Sequence, residues 1–219
     1  MQPELYAHPF SSYCQKALTA LYENAIPFTF RLIQFQDEAD NRALEAVWPL
    51  KRFPVLVDGG RTVIESSVII EYLQHTRPGP VRLIPDDPDA ALDVRFMDRV
   101  FDNYVMTPMQ RIVFDRMRPD DAHDRVGVQQ ARDQLDLTYR WLDGRLADRA
   151  WAAGEDFSMA DCAAAPSLFY ADWVHEIAPD FANLRRYRAQ LLARPSFARA
   201  VDEARPYRAF FPGGAPDRD

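Results

Sequence analysis

The chain has 219 residues, 47% hydrophobic and 27% charged, with a net charge of −7 at pH 7. That balance excludes a disordered chain and argues against a nucleic-acid binder, whose phosphate contacts need a basic surface. No apolar run approaches the ~18 residues needed to span a bilayer, and MQPELYAHPF lacks an export signature, so a cytoplasmic protein is expected.

Cys14 and Cys162 stand far apart, and His8, His75, His123 and His175 are scattered. Neither a disulfide framework nor a metal site is expected from them. Arginine greatly outnumbers lysine, which occurs only at Lys16 and Lys51.

In chain order, PELYA (3–7) reads as a short strand. From Ser12 the apolar positions Cys14, Ala17, Leu18, Leu21 and Tyr22 recur at helical spacing. IPFTFRLI (26–33) alternates and is rich in β-branched and aromatic residues, so it reads as a strand, and DEADNRALEAVW (37–48) as a helix. FPVLVDGGRTVIE (53–65) reads as two strands around a turn at Asp58-Gly59-Gly60, followed by a helix over SSVIIEYLQH (66–75). The order β-α-β-α-β-β-α implies a parallel first pair and an antiparallel hairpin at the edge.

RPGPVRLIPDDPD (77–89) holds four prolines and one glycine, as a linker would. The expected division is 1–77, a linker at 78–88, and an all-helical unit at 89–219. In that unit Leu92, Phe96, Val100 and Tyr104 form one helical stripe that runs past Pro108, where a kink is expected. Ala131, Leu135, Thr138, Leu142 and Leu146 form another. SMADC (158–162) opens a third helix with the S-x-x-D spacing of a capping box, and residues 181–192 and 196–204 supply two more.

Three short stretches could carry chemistry as well as structure. In FSSYCQK (10–16), Ser11 or Ser12 suits an N-cap and Cys14 falls on the apolar stripe, as a buried thiol does. A hydroxyl at that helix start could also donate to a thiolate. Phe53-Pro54 reads as a strand-edge proline, or as a cis bond that leaves the Phe53 backbone free to pair with a peptide-like ligand. Glu65-Ser66 reads as a solvated acid beside a cap at Ser66 or Ser67. The same helix start suits a carboxylate, while Glu65 could pair with an ammonium group. Arg52 could meet a ligand carboxylate, and Lys16 reads as a solvated helix residue.

Taken in order, HPFSSYCQKA, KRFPVL, ESSVIIEYL and GEDFSMADC resemble the cytosolic glutathione transferases over nearly the whole chain. The resemblance is to a bacterial, serine-type (theta-, delta- or zeta-like) member. It implies an α/β thioredoxin-like N-terminal domain followed by an all-α bundle. It also implies glutathione as co-substrate, no metal, no nucleic acid or membrane partner, and a homodimer in which unlike domains touch.

By that resemblance Ser11 is the thiolate donor, and SSYC is similar to the CPYC redox motif of glutaredoxins. Phe53 and Pro54 match the position that holds the cysteinyl backbone. Glu65 and Ser66 match the γ-glutamyl clamp, and Arg52 falls near the glycyl carboxylate. Tyr6, Ser12, Tyr13 and Cys14 stay open as alternatives at the thiol. Phe53 and Trp48 depart from the usual aliphatic residue and asparagine. The electrophile pocket is expected from Tyr104, Met106, Pro108, Arg111, Tyr170 and Trp173, with Tyr207, Phe210 and Phe211 of the tail. The expected function is conjugation of glutathione to a small hydrophobic electrophile, with detoxification as its setting. A glutathione-dependent isomerase or reductase, or a non-catalytic binding protein on the same fold, stands as the alternative.

Overall fold

A computed structural model describes residues 2–219. Its first half is a four-stranded sheet in the order β2-β1-β3-β4, built from β1 (Glu4–Ala7), β2 (Thr29–Leu32), β3 (Val55–Asp58) and β4 (Arg61–Ile64). β1 and β2 run parallel, while β3 is antiparallel to both β1 and β4. The expected succession of elements, the parallel first pair and the antiparallel hairpin at the edge are borne out, although β2 is shorter than the alternating run at 26–33. Gly59 and Gly60 take φ of 58° and 86°, so the hairpin uses two successive left-handed residues that only glycine adopts freely.

Strand alternation sends side chains to two faces. Leu5, Ala7, Leu56 and Val63 pack with α1 (Ser12–Glu23) and α3 (Ser66–Thr76). On the other face Val55 and Ile33 meet Leu44, the one fully buried residue of α2 (Glu38–Val47), with Tyr6 and Trp48 at the margin.

The second half is helical: α4 (Pro88–Val100), a π-helical turn (Phe101–Met106), α5 (Thr107–Asp115), α6 (Arg125–Arg145), α7 (Met159–Val174), α8 (Ala182–Ala193) and α9 (Pro195–Ala204). The central helix is α7, buried along its entire length, and α1 packs directly on α7 and α9. Its start is the expected capping box: Asp161 Oδ2 accepts the backbone N–H of Ser158 at 2.8 Å and its hydroxyl at 2.9 Å. The proline-rich stretch between α3 and α4 is tied down rather than loose. Asn24 bonds both peptide groups of Val81, Gln74 bonds both of Ile84, and Leu83 and Ile84 are core residues.

Two expectations need correction. Leu92, Phe96 and Tyr104 lie on the exposed face of their helix, and the core face carries Ala91, Val94, Met97, Val100, Phe101 and Val105. Both faces show helical spacing, so periodicity did not distinguish them. The predicted disturbance near Pro108 takes the form of the π-helical turn just before it. A proline has no N–H to donate and its ring crowds the preceding turn, and the wider turn accommodates both.

Candidate glutathione site at one end of the sheet

Strand register gathers the three chemical stretches. Tyr6 faces Val55 across β1 and β3, and Val55 faces Ile64 across β3 and β4. Beyond that row the chain leaves β1 into residues 8–11, enters β3 from Phe53 and Pro54, and leaves β4 into Glu65 and Ser66. Ser11, Phe53 and Ser66 therefore share one end of the sheet, and α1 and α3 both begin there. Two helix starts supply free N–H groups and positive dipole ends, an arrangement that favours an anion.

The loop before α1 is held by several bonds. Ser11 N donates to His8 O at 3.0 Å, and Phe10 N donates to His8 Nδ1 at 3.1 Å, which leaves the imidazole proton on Nε2. Burial holds His8 below its ordinary pKa, in keeping with that neutral ring. Gln15 Nε2 donates to Pro9 O at 3.0 Å, and the Tyr170 hydroxyl donates to Phe10 O at 3.1 Å. Ser11 is the N-cap of α1, its Oγ accepting the Cys14 N–H at 3.4 Å.

The other groups near the loop are less suited to meet a thiol. Cys14 is fully buried, and burial pushes its thiol up to about 12. Ser12 is buried. Tyr6 packs on the α2 face with its hydroxyl turned back toward Glu4, at 3.5 Å. Tyr13 is the exception: burial pushes it up to about 12, with Asp102, Glu65 and Asp98 adding to it, so its phenol keeps its proton and remains a donor in the first turn of α1.

Phe53-Pro54 is a cis peptide bond. The β3 ladder starts at Val55, so the peptide groups of Phe53 lie beyond it; the ring packs 5.0 Å from Phe35. Arg52 is exposed beside this turn. The cap of α3 is Glu65, and not Ser66 or Ser67 as expected. Glu65 has φ 68° and makes no side-chain cap bond. A non-glycine residue held in the left-handed region is strained, and such strain gathers at ligand sites. Its carboxylate is exposed while Ser66 beside it is buried.

The six residues expected around the electrophile divide by burial. Met106, Pro108, Tyr170 and Trp173 are buried, and Arg111 is exposed. Tyr170 and Trp173 pack with Phe10 and Phe211, so the chain's tail closes over the residue next to Ser11. Tyr207 stacks edge-on with His8, whereas Phe210 is exposed. Tyr104 turns away to a groove of about 350 Å³ between α4 and α6, which it lines with Phe96, Leu137 and Trp141. A larger cavity, about 730 Å³, lies between β2 and α9; Pro9 and Tyr207 line it, but Ser11, Phe53, Glu65 and Ser66 do not.

Sequence reasoning missed Lys16. Instead of a solvated residue it is a buried cation, 1% exposed, paired with Asp98 and Asp102. The i, i+4 spacing of those aspartates was legible, but a solvated helix face shows the same spacing. Among the described residues no group of His, Cys, Asp and Glu could hold a metal ion, and no helix is long and apolar enough to cross a membrane.

A mixed thioredoxin-like sheet that offers two helix starts at one end, joined to an all-helical domain, defines the glutathione transferase fold. Residues 5–81 match the glutathione S-transferase N-terminal domain and residues 120–190 the C-terminal domain. The chain belongs to the glutathione S-transferase family.

It is similar to a glutathione S-transferase of Methylobacterium radiotolerans solved with glutathione sulfonate: 28% identity, 92% of this chain, 95% of that one, TM-score 0.80. A second, from Methylobacillus flagellatus solved with glutathione bound, is 27% identical over 91% of this chain and 98% of its own, with TM-score 0.82. A probable maleylacetoacetate isomerase of Drosophila melanogaster is 26% identical over 94% of this chain and 90% of its own.

Proposed function

We propose that the chain binds glutathione at this sheet end and delivers its thiolate to a small hydrophobic electrophile. The observation that carries the reading is the row Tyr6–Val55–Ile64, which brings Ser11, Phe53, Glu65 and Ser66 together. Glu65 takes the γ-glutamyl ammonium, and Ser66 with the α3 N-terminus takes the adjacent carboxylate. Phe53 pairs with the cysteinyl backbone, Pro54 shapes that turn, and exposed Arg52 reaches for the glycyl carboxylate. Ser11 donates to the sulfur. The protein contributes a lowered thiol pKa and a fixed approach rather than a covalent nucleophile of its own. Residues 1–77 are the binding unit, 78–88 the connection, and 89–219 supply the second-substrate side, including Met106, Pro108 and Arg111.

The working form is a cytoplasmic homodimer. What supports the dimer is the exposed apolar face of α4 and α6, where Phe96, Tyr104, Leu137 and Trp141 lie together. Calorimetry with glutathione tests binding, and a panel of electrophiles tests transfer. Absence of binding would remove the reading.

Isomerisation is the second reading, favoured by the likeness to relatives named maleylacetoacetate isomerases. There the thiolate adds to a conjugated carbon, a bond rotates, and the thiolate leaves again. Consumption of glutathione separates the two: conjugation uses one thiol per turnover and isomerisation none. Reduction through a protein thiol is disfavoured by the burial of Cys14.

A further inference from the structure

The Lys16 ammonium has three protons, and two of them have hydrogen-bond acceptors. They go to Ser67 Oγ at 2.8 Å and Asp102 Oδ2 at 2.8 Å, while Asp98 Oδ1 lies 2.6 Å away as an ion-pair partner without a hydrogen bond. Ser67 in turn donates to Asp98 Oδ2 at 2.9 Å and accepts from Arg99. Arg99 closes the cluster on Asp102 Oδ2 at 2.7 Å. Two cations balance two carboxylates, the condition under which buried ions are tolerated. Four segments meet here: α1 through Lys16, α3 through Ser67, α4 through Asp98 and Arg99, and the π-helical turn through Asp102.

The cluster grips α3 in its first turn, the turn on which the glutathione reading depends. That turn needs external support, because the Glu65 side chain makes no cap bond and its backbone is left-handed. Ser67 follows directly on Ser66, so the bonds to its hydroxyl fix the direction in which Ser66 presents its own. Asp98 Oδ1 and Asp102 Oδ1 are both buried without a hydrogen-bond partner, so among the described residues Ser67 is the one neutral group that ties these carboxylates to α3 through hydrogen bonds.

We infer that Lys16, together with Asp98 and Asp102, is the positioning group for the γ-glutamyl end of glutathione. It acts through Ser67 to hold the first turn of α3 and touches no substrate atom itself. This rests on the glutathione reading above and adds to it a residue on α1 that the clamp needs.

Lys16→Met leaves two buried carboxylates with one cation and can fail to fold, so the test uses Ser67→Ala, which cuts the link to α3 and leaves the ion pairs in place. Two readouts are taken on the full chain: calorimetric affinity for S-methylglutathione, and the thiolate titration of bound glutathione by ultraviolet absorbance. Ser67→Ala is expected to weaken binding by about fivefold or more, with the thiolate titration unmoved because Ser11 is at the other end of the ligand. Ser67→Thr, which keeps the hydroxyl, should stay within about twofold of wild type. Unchanged affinity in Ser67→Ala overturns the inference. So does weaker binding accompanied by a displaced thiolate titration, which signals general loosening. Failure of the wild type to bind S-methylglutathione is a different result and sinks the underlying reading.

Discussion

Asp161 and Tyr187, both fully buried, share a hydrogen bond of 2.5 Å across α7 and α8. The same carboxylate accepts the Ala152 N–H at 2.9 Å and both donors of Ser158, so it organises the start of the central helix and the loop ahead of it. Asp161→Ala leaves all of these donors buried and unpaired, at about 1–3 kcal/mol each before relaxation. The expected loss is about 4 kcal/mol in urea unfolding, against about 1 kcal/mol for Tyr187→Phe. Equal and small losses for the two variants would contradict this account of the helix start.

At the clamp, Glu65→Ala and Ser66→Ala each remove a partner of a charged ligand group. Each is expected to cost about 1.5–3 kcal/mol of glutathione affinity, roughly 12- to 150-fold in Kd. Titration calorimetry reads this directly, and wild-type affinity in both variants would remove these two residues from the site.

Much of this was legible because short-range signals and final structure agree. Asp58-Gly59-Gly60 demanded a hairpin, and the helical stripes of α1 and α3 demanded helices on one face of the sheet. The sheet-end site follows once those elements are paired, because register alone decides what lies beyond Tyr6, Val55 and Ile64. What escaped the sequence depends on partners distant along the chain. Lys16 has the spacing of a surface residue, and only α3, α4 and the π-helical turn, distant along the chain, turn it into a buried cation. Phe96 and Tyr104 have the spacing of core residues, yet Val94 and Met97 on the neighbouring face take that role. Tyr170 reads as a pocket or core residue, and its hydrogen bonds to residues 10 and 15 have no local signature.

The exposed stripe makes a prediction about assembly. Phe96 is 47% exposed, Tyr104 51%, Leu137 60% and Trp141 44%, and together they border one groove. A contiguous apolar face of this kind marks an interaction surface. Light scattering at micromolar concentration is expected to give a dimer for the wild type. Leu137→Asp, which puts a charge in the middle of the stripe, is expected to shift the mass toward the monomer. A wild-type monomer, or a dimer indifferent to Leu137→Asp, would assign the stripe another role.

The end of the hairpin should contribute to acid sensitivity. Asp58 accepts from Arg77 Nη2 at 2.8 Å and from the Tyr72 hydroxyl at 3.1 Å, and the Arg77 guanidinium holds its carboxyl below the ordinary value of 3.8. A depressed folded-state pKa contributes stability that is present above the unfolded value and lost as pH falls through the folded one. Asp58→Asn should therefore lower the Tm at pH 7, and its gap from wild type should narrow as pH drops below about 4. A gap that stays constant from pH 7 to pH 3 would show that this pair does not carry the effect.

Ser11 carries the chemistry in the proposed reaction, and its surroundings set the size of the effect. It caps α1 at the positive end of the helix, on a loop held by His8, Gln15 and Tyr170. One charge-assisted hydrogen bond and the helix dipole together can lower a thiol by about two pH units, worth about 2.7 kcal/mol. Ser11→Ala should move the thiolate titration of bound glutathione upward by about one to two pH units and leave affinity for S-methylglutathione nearly intact. Conjugation at pH 6.5 should fall accordingly, and recover in part as pH rises and the thiol ionises unaided. Cys14→Ala should leave conjugation within about twofold, because that thiol is buried and stays protonated. The opposite pattern, with Cys14→Ala inactive and Ser11→Ala active, would mark a cysteine-dependent reductase. If neither variant matters, Tyr13 is the next donor to replace, since its protonated phenol lies in the first turn after Ser11.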